Sequence, residues 1–409
     1  MSVSPSKSFL KAGHFPSLFA AFLYFDMSFM IWVLLGPLAV QIGTALHLSP
    51  AQKGMMIALP VLSGALLRIP AGFAVDQFGA RATAIVSQII VIAGLAAAAF
   101  KGITSYDEVL AIGVILGLGG ASFAVALPLA SRWYPPEHQG TAMGVAGAGN
   151  IGTVVTALAA PSLAIAIGLG GVFGVATALM IVTVIVFALM AKNPPAYKFP
   201  QPVANYFKVL QIADTWWFMG FYGVTFGGFV GLSAALTLYF HSVYGLTAVH
   251  AGFATAACAF VGGSIRPFGG YLADRLGGVR VLSALYLLAA ASLIVLSMGI
   301  GHFWPALAVF LVVMAAFGMG DGAVFQLIPV RFGREIGTVT GFVGMAGGIG
   351  GFYLASSLGF SKQFTGSYDA GFLIFAGLAL LALAGLSIVK RRWRANFTGA
   401  ELDRAAVRV

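Results

Sequence analysis

From residue 16 to residue 390 the chain is a succession of apolar stretches near twenty residues long, divided by short breaks of charge, proline and glycine. Each can cross a hydrocarbon core of about 30 Å. No other feature constrains the fold so strongly. A backbone in lipid must satisfy its own hydrogen bonds, which leaves helices and closed barrels. Barrel strands read as short alternating segments, and these do not. Only 8% of the residues are charged, against about a quarter in a soluble protein. The sequence therefore predicts an all-α polytopic membrane protein. The breaks place twelve spans at 16–42, 51–74, 80–100, 107–132, 138–166, 169–191, 214–241, 248–272, 279–300, 303–331, 336–358 and 368–390. The opening MSVSPSKSFLKAGHFPS lacks a small-residue cleavage site, so the first stretch is expected to be a retained helix. The single cysteine, Cys258, excludes an internal disulfide.

The net charge of +10 has a topological explanation. With both termini inside, seventeen of the 22 Lys and Arg side chains fall in cytoplasmic segments, while Lys53, Lys101 and Lys362 fall outside. Arg68 and Arg266 fall within spans. This is the positive-inside asymmetry, and no nucleic-acid partner is needed to explain it. The longest polar interruption lies around AKNPPAYKFPQPVANYFKVLQIAD. It suggests an N-terminal tail (1–15), a six-helix half (16–191), a cytoplasmic linker (192–213), a second half (214–390) and a basic cytoplasmic tail (391–409).

The halves repeat. RIPAGFAVDQFGAR echoes RPFGGYLADRLGGVR, GTAMGVAGAGNIG echoes GTVTGFVGMAGGIG, and GLGGASF answers GMGDGAVF, in the same order. Two facing repeats with a site near the midplane are an architecture of secondary transporters. The loop residues Gly72, Asp76, Gly79 and Arg81 recur as Gly270, Asp274, Gly277 and Arg280. They resemble the cytoplasmic loop motif of the major facilitator superfamily. That resemblance implies a gate in which Asp76 and Asp274 cap a neighbouring helix and bridge to arginine; the alternative is a solvated loop charge.

The duplication sets Arg68 in span 2 against Arg266 in span 8. An arginine at membrane depth costs at least ~2.5 kcal/mol. Two guanidinium groups facing one centre suit a planar oxyanion, because each offers forked donors and a permanent charge. Each could instead pair with an acid from another helix, Asp26 or Asp321. Tyr222 and Phe226 lie one turn apart on span 7. With Phe29 and Phe123 they could sandwich a flat ion, although single phenylalanines in such helices also serve packing. Gly140, Gly144, Gly147 and Gly149, and Gly337, Gly341, Gly344 and Gly347, give small-residue faces to spans 5 and 11. Such faces allow close backbone approach and suit helices that rock, or simply ones that pack.

GVAGAGNIGT, GFVGMAGGIGG, LLRIPAG, SIRPFGG and GLGGASFAVALPLASRWYPPEHQG resemble the nitrate/nitrite porter family, over nearly all of 16–390. The resemblance implies the major facilitator fold and transport of nitrate or nitrite. It implies anion binding by Arg68 and Arg266, ringed by Asn150, Tyr222, Phe226, Phe123 and Phe29. Asn150 has no asparagine counterpart in the second half, where glycine stands.

The family holds both proton symporters and nitrate/nitrite exchangers. Asp26 and Asp321 are candidate proton carriers, and the absence of a large insertion resembles the symporter branch. Nitrate uptake with two or more protons is the expected activity. Nitrate/nitrite antiport and transport of another small organic anion are the alternatives. No HExxH, CxxC or in-span histidine pair suggests an enzyme or a cofactor. A monomer in the cytoplasmic membrane, with nitrate, protons and lipid as its partners, completes the expectation.

Overall fold

The computed structural model describes residues 9–135, 138, 142–143, 145–146, 151–194, 206–332 and 336–396. Among them, eleven helices are long and apolar enough to cross a membrane. The helix Ile151–Met190 runs for 40 residues and is bent at Gly168, where φ is 72°. This left-handed conformation favours glycine, and it falls at the expected junction of spans 5 and 6. Dividing the helix there gives twelve membrane segments.

We number them α1 (Phe15–Trp32), α2 (Pro50–Phe78), α3 (Ala80–Lys101), α4 (Tyr106–Ser131), α5 (151–167), α6 (169–190), α7 (Ala213–Tyr244), α8 (Ala248–Leu276), α9 (Gly278–Ser297), α10 (Phe303–Phe332), α11 (Ile336–Thr365) and α12 (Asp369–Asn396). Their number and order are those the sequence repeat predicts, six segments in each half. The two most extensive contacts between the halves are α2 with α11 and α8 with the α5–α6 helix, and α7 also touches α2. The sequence repeat maps α2 onto α8 and α5 onto α11, so the two contacts exchange under the pseudo-two-fold.

Several segments break near mid-membrane. α4 breaks at Ser122, between Ala121 and Phe123. α8 breaks at Ile265, with Pro267 in the first turn of its second piece. Proline has no N–H to give the preceding turn. These breaks lie at the level of Arg68 and Arg266.

Glycines set the interhelical spacing. A β-carbon on Gly318 of α10 would collide with the carbonyl of Gly262 on α8, and one on Gly350 of α11 with that of Gly223 on α7. We expect Gly318→Leu to cost about 1–3 kcal/mol through overpacking. Thermal unfolding of the purified protein in detergent measures it, and an unchanged melting temperature would contradict backbone contact between α8 and α10.

α2 and α11 touch from Gly54 and Gly359 at one end to Arg68 and Gly344 near the middle. One turn further, on the same faces, Gly72 and Gly341 have open space beside them. The two helices therefore part toward the end that carries Asp76 and Arg132. Phe207 spans the gap, its ring 6.2 Å from Phe73 of α2 and 5.9 Å from Phe342 of α11.

Candidate functional site

Arg68 lies where α2 and α11 begin to part, and is only 3% exposed. Its Nε donates to the carbonyl of Gly120 at 3.1 Å, and its Nη1 donates to that of Gly344. Gly120 is in the last turn before the α4 break, where helix carbonyls lose their intrahelical partners. A β-carbon on Gly344 would sit 3.2 Å from Nη1, so the guanidinium would have to shift by a few tenths of an ångström. The guanidinium carbon lies 5.3 Å from the Phe123 ring, 5.4 Å from Phe226 and 5.7 Å from Trp32. Three ring faces can attract the cation. The buried Nη2 has no hydrogen-bond partner. A charged donor held this way lacks an acceptor, which a small anion can supply.

Arg266 sits at the α8 break, partly exposed. Its Nη2 donates to the Tyr222 hydroxyl at 3.3 Å, and its guanidinium lies 5.1 Å from the Phe325 ring. Tyr222 and Phe226 are stacked at 5.0 Å with planes 10° apart. Phe226 faces Arg68 and Tyr222 faces Arg266, so this ring pair links the two cations. Gly347 makes room for both rings, since its β-carbon would lie 2.7 Å from Tyr222 Cδ1 and 2.8 Å from Phe226 Cδ1.

The two arginines differ in their company. Among the described residues Arg68 makes no ion pair. Arg266 lies within electrostatic reach of Asp321 on α10, which is 2% exposed, and Oδ1 of that carboxylate has no partner. Asp26 is elsewhere: its Oδ1 accepts from the Gly152 N–H of α5 at 2.6 Å. Among the described residues the ion pairs are Lys101–Glu108, Arg132–Asp76 and Arg331–Asp214. Direct pairing of either buried arginine with Asp26 or Asp321 is thus not observed.

Arg68, Arg266, Tyr222, Phe226 and Phe123 come together as a cluster. Phe29 stands one layer back, packed on Phe25 at 4.3 Å and Trp32 at 4.8 Å. Asn150, Gly144, Gly147 and Gly149 lie outside the described residues. Asp76 pairs with Arg132, just past the end of α4, at 2.8 Å, while Arg81 donates to the carbonyl of Ala188 at 2.7 Å. Asp274 and Arg280 are exposed.

Sequence reasoning missed Trp32, Phe325 and the two carbonyls that hold Arg68. Phe325 was findable. It ends GMGDGAVF as Phe123 ends GLGGASF, and each phenylalanine lies about 5 Å from the arginine of its own half. The same arithmetic relates Phe25 and Phe29 to Tyr222 and Phe226, and only the second pair carries a hydroxyl. Among the described residues no three His, Cys, Asp or Glu side chains gather to hold a metal ion.

Residues 18–355 match the Major Facilitator Superfamily. The chain is 34% identical over 357 residues to the nitrite extrusion protein of Bacillus subtilis (strain 168), covering 86% of this chain and 88% of that protein. It is 32% identical over 366 residues to the probable nitrate/nitrite transporter NarK2 of Mycobacterium tuberculosis (strain CDC 1551 / Oshkosh), covering 87% and 91%. In structure it resembles a bacterial homolog of the human lysosomal transporter Spinster, solved inward-facing and occupied. The TM-score is 0.72 at 18% identity, over 95% of this chain and 98% of that one. That likeness speaks for the fold, while the sequence relatives carry the narrower assignment: this multi-pass membrane chain belongs to the nitrate/nitrite porter family of the Major Facilitator Superfamily.

Proposed function

We propose that the protein carries nitrate or nitrite across the cytoplasmic membrane by alternating access, and that it takes up nitrate together with protons. The observation that carries this is the orphaned Nη2 of Arg68, held inside rings and paired through Tyr222 and Phe226 with a second arginine. A planar anion would accept from Nη2 and from Arg266 while its faces meet aromatic rings. The names of the relatives supply the ion. In this reading Arg68, Arg266, Tyr222, Phe226, Phe123 and Asn150 bind it. The halves 16–191 and 214–390 rock about the contacts of α2 with α11 and of α5 with α8. Both termini and the positive loops lie in the cytoplasm, and the protein works as a monomer. The gap between Gly72 and Gly341 would then open inward.

Moving one negative charge into a negative interior costs ~2.3 kcal/mol per 100 mV. One proton cancels that charge, and the pH gradient can then drive uptake. Asp321, beside Arg266, supports proton coupling. Exchange of nitrate for nitrite is the second reading, favoured by a relative named for nitrite extrusion. Purified protein in vesicles separates the two. We expect an inward pH gradient to drive nitrate into vesicles that hold no nitrite. Uptake that strictly requires internal nitrite would replace symport by exchange, and failure to carry either ion would overturn the transport reading.

A further inference from the structure

We propose that Asp321 is the proton-carrying carboxylate of the cycle, that it stands in for the substrate anion at Arg266 when the site is empty, and that it carries one proton for each anion moved. The inference rests on the transport reading above and names how that same site is coupled.

The groups around Asp321 are few. α8 presents Arg266. α7 presents Tyr222 and Thr225, and the Thr225 side chain packs against the position of Gly320. α9 presents Tyr286, whose hydroxyl is engaged with the carbonyl of Phe221 at 2.9 Å. Asp321 is therefore a buried carboxylate facing one cation, with Oδ1 unpartnered. It stands off from Arg266 without a direct ion pair. The α8–α10 seam fixes this face, because a β-carbon on Gly322 would collide with the backbone carbonyl of Arg266.

An ionised carboxylate and a small oxyanion want the same guanidinium donors. Both cannot hold Arg266 at full strength. A proton on Asp321 frees Arg266 for the anion, and the carboxyl O–H becomes a donor that the anion can accept. Charge counting gives the same pairing. The empty site, with Arg68, Arg266 and ionised Asp321, carries a net +1. The loaded site, with the anion bound and Asp321 protonated, also carries +1. The two limbs of the cycle then move equal charge, and the empty carrier can return. Two arginines without an acid would leave +2 in the empty site, a burden that only a second anion would relieve. Asp26 does not fit this role, because its carboxylate is held by the α5 backbone away from either guanidinium. The proton enters from outside with the anion, rides on Asp321 and leaves to the cytoplasm when Asp321 returns to Arg266.

The test uses the full chain in vesicles containing a trapped pH indicator, with sodium nitrate as the probe. For the native protein, nitrate entry under an inward pH gradient should bring about one proton per nitrate. For Asp321→Asn, net uptake into nitrite-free vesicles should fall about tenfold or more relative to nitrate/nitrite exchange, and proton entry should vanish. An unchanged proton-to-nitrate ratio in Asp321→Asn would overturn the assignment. So would a native protein that exchanges the two ions but never takes nitrate up without internal nitrite. A native protein inert in both assays would instead defeat the transport reading. Should the variant fail to fold, nitrate added to the native protein in weak buffer decides the matter. Uptake of about one proton per nitrate bound supports the proposal, and zero uptake sinks it.

Discussion

Replacing Arg68 by lysine is expected to weaken nitrate binding by about a hundredfold, close to 2.7 kcal/mol, and to abolish transport. The size follows from geometry. Arg68 uses Nε on Gly120 and Nη1 on Gly344, and keeps Nη2 free inside the rings. A planar fork does all three at once. An ammonium is a single point, and it cannot reach two carbonyls on different helices while also presenting a donor to an ion. Lysine also loses the flat face that lies against Phe123 and Phe226. The change keeps the charge, so long-range attraction survives and the loss reads out local geometry alone. Titration calorimetry with nitrate measures the affinity, and circular dichroism checks that the helices persist. Native affinity in Arg68→Lys would mean that the ion binds elsewhere.

Much of this site was legible because the chain is duplicated. A buried arginine alone is ambiguous, but two at equivalent positions on α2 and α8 must meet near the pseudo-two-fold. Tyr222 and Phe226 were readable from their one-turn spacing. The fold followed from the length and number of the apolar stretches, and the Gly168 bend fell where the sequence divides spans 5 and 6. What stayed hidden depends on where backbone is released. No pattern of side chains says that the carbonyls of Gly120 and Gly344 will point at Arg68. The Gly120 carbonyl is free because α4 breaks, and the Gly344 carbonyl is within reach because α11 comes close. Asp26 and Asp321 looked equivalent as buried acids. Only packing shows that one serves an α5 backbone N–H and the other faces Arg266. The helical phase of Phe29 turns it toward Trp32, one layer behind the rings that meet Arg68.

A second large effect is expected from the smallest change on α11. Gly347→Ala should weaken nitrate binding about tenfold to a hundredfold, or roughly 1.4–2.7 kcal/mol, while leaving the protein folded. The added methyl would lie 2.7 Å from Tyr222 Cδ1 and 2.8 Å from Phe226 Cδ1. These atoms lie near the roots of the rings, so a small swing of the ring tips does not relieve the contact. Both rings must shift, and they are the two that link the cations. Tyr222 holds Nη2 of Arg266 at 3.3 Å, and Phe226 lies 5.4 Å from Arg68. Moving the pair alters the spacing between the guanidinium groups, on which two-point capture of one small ion depends. Alanine favours helix over glycine by about 1 kcal/mol, which offsets part of the cost of overpacking, so stability should change little as the site loses function. That difference separates a binding effect from general damage. Melting temperature and nitrate affinity, measured on the same preparation, should diverge. A parallel fall in both would mean that Gly347 serves packing alone, and unchanged affinity would mean that the ion does not depend on the Tyr222–Phe226 pair.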